Sequence, residues 1–179
     1  MTRFNARLAI VALAFSISAA AGTAQAATDS KLVADAQATL ATFQKTDPGL
    51  RSFIERSAAY VVFPSVIKGG VGIGGAHGSG VLFENGRPTG RASLSQVSVG
   101  AQLGGQEYAE VIFFETPQAL AGFKRSEFTF SAQATAVALK SGAAANAKFK
   151  DGVAVFTSAK GGLMFEASLG GQKFKFEPF

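Results

Sequence analysis

Residues 69–80 read GGVGIGGAHGSG, seven glycines in twelve positions. Gly70, Gly72 and Gly75 fit the spacing G-x-G-x-x-G, the outline of a loop that cradles a dinucleotide phosphate. That fingerprint requires a strand before the glycines, a helix after them, and an acidic residue about 20 positions further on for the ribose. The strand is there: AYVVFP, 59–64, is β-branched and aromatic. The helix is not. HGSGVLFENG, on the far side of the glycines, alternates and turns, and the region near 95 holds serines and a glutamine but no carboxylate. The Gly-Lys-Ser/Thr of a P-loop is missing as well. Amides with no helix behind them lack the dipole that holds phosphate. The stretch therefore reads as structural, with glycines letting strands bend and approach one another closely.

A hydrolase reading begins at His77-Gly78-Ser79-Gly80, which echoes the oxyanion loop of some esterases. It fails on inventory. His77 is the only histidine and would have to serve as the triad base too, and no G-x-S-x-G elbow occurs. One histidine without any cysteine does not make a catalytic zinc site. The expectation is a protein that is not an enzyme and uses no cofactor or metal, with His77 a satisfied polar residue at a turn.

The ends and totals set its surroundings. MTRFNAR carries Arg3 and Arg7, LAIVALAFSISAAAG is uncharged and mostly apolar, and TAQA puts Ala24 and Ala26 at the small-residue positions before Ala27. This pattern predicts a secretory signal peptide over 1–26, cleaved to leave 27–179 as a single domain in the periplasm. The absence of cysteine excludes disulfides, thiolate metal sites and a lipid-modified amino terminus. Residues 27–179 carry 15 basic against 12 acidic side chains, a net +3. The excess lies in 120–179, with eight basic residues against four acidic ones. So small an excess in an exported chain argues against nucleic acid as a partner.

The local patterns predict an α+β fold. In TDSKLVADAQATLATFQ, 28–44, Leu32, Ala36, Leu40 and Phe43 form one helical stripe, capped by Asp29 or Ser30. LRSFIERSA, 50–58, reads as a second short helix after Asp47-Pro48-Gly49. Asn85-Gly86 predicts a tight hairpin after the strand SGVLFE, 79–84. SLSQVSVGAQL (93–103) and QEYAEVIFFE (106–115) alternate around Gly104-Gly105, and GLMFEASL (162–169) and QKFKFE (172–177) around Gly170-Gly171. Both read as hairpins. Between them, Thr116-Pro117 starts a helix through Lys124, VAVFTSA (153–159) is strand, and 131–150 has no clear pattern. Helices followed by paired strands predict N-terminal helices on one side of a curved, Gly-rich antiparallel sheet or partial barrel. Ala101–Tyr108 matches Ala167–Phe174 at an offset of 66, which reads as two hairpins solving one turn problem.

Taken in order, the polar amphipathic helix, AAYVVFPSVIKGGVGIGGAHGSGVL, SLSQVSVGAQLGGQEYAEVIFF, ALAGFKRSEFTF and KGGLMFEASLGGQKF resemble the SYLF domain, also called the Ysc84 actin-binding domain family, in its bacterial secreted form. The resemblance runs from about 30 to 179. Its most specific pieces are Val62-Phe63-Pro64, the glycine cluster, and Gly100 to Gly105 with the apolar strand after it. It implies a lipid-binding module: eukaryotic relatives bind phosphoinositides with help from an amphipathic segment, and some bind or bundle actin. Around Gly90–Leu94 the chain lacks the tryptophan and proline those relatives usually carry. An exported protein meets neither actin nor phosphoinositides in its own cell, so affinity for anionic phospholipids is what transfers.

Charge placement supplies lipid-binding residues. Lys31, Lys45, Arg51 and Arg56 lie on the first two helices, where they would meet headgroups while Leu40, Phe43, Phe53 and Ile54 insert, unless those four pack on the sheet instead. Lys124 and Arg125, with Lys148 and Lys150, make a second basic patch. The ending KFKFEPF suggests an outer-membrane barrel, but the Phe179 face carries Glu177, Lys175 and Lys173 where a lipid-facing row is apolar. A periplasmic protein-interaction domain without lipid binding shares every one of these features and stays open as the alternative.

Overall fold

The glycine stretch is strand throughout its described length. The computed structural model describes residues 6–71, 73–99, 105–130, 135–160 and 167–179. Within it, Ala59–Val71 (β1) and Ile73–Glu84 (β2) pair antiparallel from Ala59↔Glu84 to Val71↔Ile73. Gly72 of the apparent fingerprint lies outside the described residues. The close approach expected of these glycines is real. A Cβ on Gly80 would stand 2.5 Å from the Val62 carbonyl oxygen and 2.6 Å from a Phe63 ring carbon. This is where β1 shifts register between Val62 and Ser65, around Pro64, which has no N–H to give the ladder. His77 is exposed in the middle of β2 rather than at a turn, because the strand runs on through the glycines.

Asn85 and Gly86, at φ 50° and 74°, make the predicted tight turn into Arg87–Val99 (β3). The next strand, Gly105–Phe114 (β4), does not pair with β3; it returns to lie beside β1. The chain continues through Pro117–Lys124 (α3 in chain order, after Ala6–Thr46, α1, and Leu50–Arg56, α2). It then forms Thr135–Ala138 (β5), Ala143–Asn146 (α4), Val153–Ala159 (β6), Ala167–Ser168 (β7) and Gln172–Pro178 (β8). The sheet order is β7-β5-β6-β4-β1-β2-β3-β8, antiparallel except for β5 beside β6. Strands β1 to β4, in the spatial order 4-1-2-3, form a Greek key.

This order corrects two expectations. Neither Gly-Gly segment joins a hairpin. The connection from β3 to β4 passes β1 and β2, and β7 pairs with β5 while β8 pairs with β3. Residues 100–104 and 161–166, parts of both supposed hairpins, lie outside the described residues. The described parts of the matching sequences, 105–108 and 167–174, therefore lie at connections between strands that are not neighbours.

The fold is α+β, as expected, but both faces of the sheet are covered. One face carries Tyr60, Val62, Val81, Phe83, Val111, Phe113 and Phe156, which pack under Ala36, Leu40 and Phe43 of α1 and Leu50 and Phe53 of α2. The other carries Val61, Phe63, Leu82, Leu94, Ile112, Phe114, Val155 and Phe174, joined by Leu120 and Phe123 of α3. Curling seals this second face. Phe63 and Phe174 sit on strands three places apart, ~14 Å in a flat sheet, yet their ring centroids are 6.0 Å apart. The inner face packs largely against itself.

The chain comprises two compact units, Met1–Lys31 and Leu32–Phe179. The first unit is helical from Ala6; the second holds every strand and both apolar cores. Because α1 runs unbroken from Ala6, Asp29 and Ser30 do not cap a helix start. Among the described residues, no helix is long and apolar enough to cross a membrane.

Candidate functional site

Curling brings the two edges of the sheet, β7 and β8, to either side of a seam that the chain crosses at 169–171. Residues 128–130 run along it, and Thr129 bridges antiparallel to Lys173 of β8. A cleft of about 160 Å³ opens here, walled by Phe128, Phe130, Val137, Val153, Val155 and Leu169. Lys148 and Lys150 line it as well, both exposed and neither with a carboxylate partner among the described residues. Asp151 also lines the cleft but forms no ion pair with either lysine. The alternation of the segment explains this. Phe149, between the two lysines, turns the other way and packs 5.1 Å from Phe53, which leaves the lysines to the cleft. An apolar trough with two ammonium groups that no described carboxylate pairs with suits an amphiphile with an apolar tail and a negative head.

The residues predicted from charge alone fall into different settings. Lys31 belongs to the first unit. Lys45 and Arg51 are exposed on α1 and α2. Arg56 lies over the rings of Phe53 and Phe149, at 5.1 and 5.4 Å, and so stands beside the Lys148–Lys150 segment. Lys124 is held by Glu84 at 2.7 Å and lies 5.7 Å from the Phe176 ring. That bond holds the Glu84 carboxyl below the usual carboxylate range. Arg125 pairs with Glu127 at 2.7 Å. The supposed basic patch is therefore two kinds of residue: Lys124 and Arg125 are neutralised by neighbours, whereas no described carboxylate neutralises Lys148 or Lys150. Insertion by Leu40, Phe43 and Phe53 is also excluded as long as the fold holds, since all three are buried against the sheet, and Ile54 is partly buried there too.

Behind the seam lies a polar set inside the apolar face. Glu110 points inward from β4 between Tyr108 and Ile112, and is wholly buried. Its Oε2 accepts a 3.1 Å bond from Nε2 of Gln172, the first residue of β8. Thr157 stands opposite it on β6. Glu110 Oε1, Thr157 Oγ1 and Gln172 Oε1 are all buried without a hydrogen-bond partner among the described residues. Burial pushes the Glu110 carboxyl up to about 7, against the pull of the Gln172 bond. Burial first, and then the nearby Glu110, also push the Tyr108 hydroxyl well above its usual range.

Sequence reasoning missed the cleft because its walls come from four separate segments, and only Lys148 and Lys150 were noticed, as charges. Glu110 did leave a signal: a carboxylate on the same strand face as Tyr108, Ile112 and Phe114.

Residues 95–177 match the family model Ysc84, described as Las17-binding protein actin regulator. The matched span runs from Ser95 in β3 to Glu177 in β8 and includes every wall of the cleft. No curated protein matches the chain.

Proposed function

We propose that this is an exported, periplasmic, non-catalytic protein that binds anionic phospholipid peripherally; the match of residues 95–177 to the Ysc84 (SYLF) family model supports only the lipid-binding part of that reading. The cleft at the seam takes part of an acyl chain against Phe128, Phe130 and Leu169, and Lys148 and Lys150 meet the headgroup, with Arg56 beside them. The observation that carries this reading is the pairing of an apolar cleft with two lysines that no carboxylate among the described residues holds. The charged residues Lys45 and Arg51 add long-range attraction to a negative surface. Lys124 and Arg125, already paired, contribute less.

Flotation of residues 27–179 with vesicles tests it, comparing anionic with zwitterionic lipid at low and high salt. Binding confined to anionic vesicles and weakened by salt is expected. Each basic residue near such a surface is worth about 1 kcal/mol, so losing two is about a 30-fold loss of affinity. K148E/K150E should lose at least that much, and K124E/R125E much less. No binding to any vesicle would overturn the lipid reading and leave a protein-interaction domain as the better account.

A further inference from the structure

The curled sheet seals an ionisable group between strands that sequence order keeps far apart. In a flat sheet β4 and β8 would be four places, ~19 Å, from one another, yet Gln172 Nε2 reaches Glu110 Oε2 at 3.1 Å. This bond ties the inside of the sheet to the seam. The Gln172 N–H donates to the carbonyl of Leu169 at 3.1 Å, and Leu169 walls the cleft. The next residue, Lys173, bridges to Thr129, which also lines it.

We propose that buried Glu110, bonded to Gln172, is a proton-controlled clasp: neutral, it lets β8 and the 169–171 turn stay closed on the cleft, and loss of its proton, which strengthens the Gln172 bond itself but leaves a charge in the apolar interior, loosens them. The inference rests on the cleft being the lipid site. The groups around Glu110 define the switch. From its own strand comes Tyr108, from β6 Thr157, from β1 Phe63, and from β8 Gln172, beside Gln96 of β3. Tyr108 is the only ionisable side chain among them, and among the described residues no cation faces Glu110 from these positions. A protonated carboxyl has an O–H to donate, and the unpartnered oxygens of Thr157 and Gln172 belong to the same set. An ionised one only accepts, and it places a bare charge in an apolar interior. Separation of β8 from β4 is the movement that lets water reach it. The upward displacement of the Glu110 carboxyl, to about 7, agrees in direction.

The test is amide hydrogen exchange in residues 27–179 without lipid, corrected for the intrinsic pH dependence of exchange. Opening of β8 and of residues 135–138 should rise between about pH 5 and pH 7, on the order of 100-fold, and level off above that. E110Q, neutral at every pH, should stay at the low-pH level throughout. A flat profile in the natural sequence, or the same profile in E110Q, overturns the clasp. If E110Q fails to fold, the carboxyl carbon resonance of Glu110 in the natural sequence decides: titration near 4.5, the ordinary value, overturns the proposal. Flotation with vesicles of phosphatidylglycerol and phosphatidylcholine in equal parts, repeated across the same pH range, separates the two readings. Exchange that titrates while vesicles never bind defeats the cleft's lipid role and leaves the clasp; vesicle binding with pH-flat exchange does the reverse.

Discussion

Burial of Glu110 should also make global stability depend on pH, with a sign opposite to that of most carboxylates. Its folded value is raised to about 7 from 4.5, so the folded state holds a proton that the unfolded chain releases. The stabilisation is complete below about pH 4.5, falls away as pH rises toward 7, and is constant above it. The shift corresponds to at most about 3 kcal/mol. Urea midpoints should fall from pH 5 to pH 7 by part of that amount, and E110Q should remove the slope; a midpoint that rises over this interval would contradict the assignment. Gly80 makes a second prediction at this scale. A methyl group at 2.5 Å from the Val62 carbonyl oxygen meets backbone, which cannot swing aside as a side-chain tip can. Gly80→Ala should destabilise by about 3 kcal/mol, at the upper end of ordinary overpacking, read as a lowered denaturant midpoint.

Elements whose signals are local were legible, and those defined by distant partners were not. Asn85-Gly86 needs positive φ at both positions whatever the rest of the fold does, so its turn could be read directly. The same is true of α3, where the Thr116 hydroxyl accepts from the Ala119 N–H at 3.2 Å and Pro117 stands at the first helical position. Thr116→Ala should cost about 1 kcal/mol, measured by chemical denaturation. The Gly-Gly segments carry no such information. Glycine permits a chain reversal or a crossing equally, and the choice is made by whether β1 or β3 offers the better partner for β4. Strand β5, four residues long in an alanine-rich stretch, owes its place to β6 and β7 and has no pattern of its own. The apolar stripe of α1 was read correctly, but its destination depends on a sheet that needs covering. Lys148 and Lys150 were visible as charges; that no described carboxylate pairs with them is a property of the folded surface.

At the scale of the molecule, β8 completes two things at once. It covers the free edge of β3 and sends Phe174 into the inner core, where it meets Phe63, Phe123, Phe128 and Phe130. Phe174→Ala should cost about 4 kcal/mol, and because Phe128 and Phe130 also wall the cleft, it should weaken vesicle binding more than Phe43→Ala, whose side chain lies under α1. Equal losses in flotation would count against the cleft. The order of strands also has a temporal meaning. Strands β1, β2 and β3 can zip together as they emerge, each beside its predecessor, whereas β4 must return to β1 and β8 must find β3 across roughly half the sequence. Long-range pairings of this kind place refolding in the millisecond-to-second range. Until β8 arrives, a half-built sheet shows a bare edge and an open apolar trough to whatever is nearby. Over that interval the edge of β3 is the segment with which a foreign strand would pair.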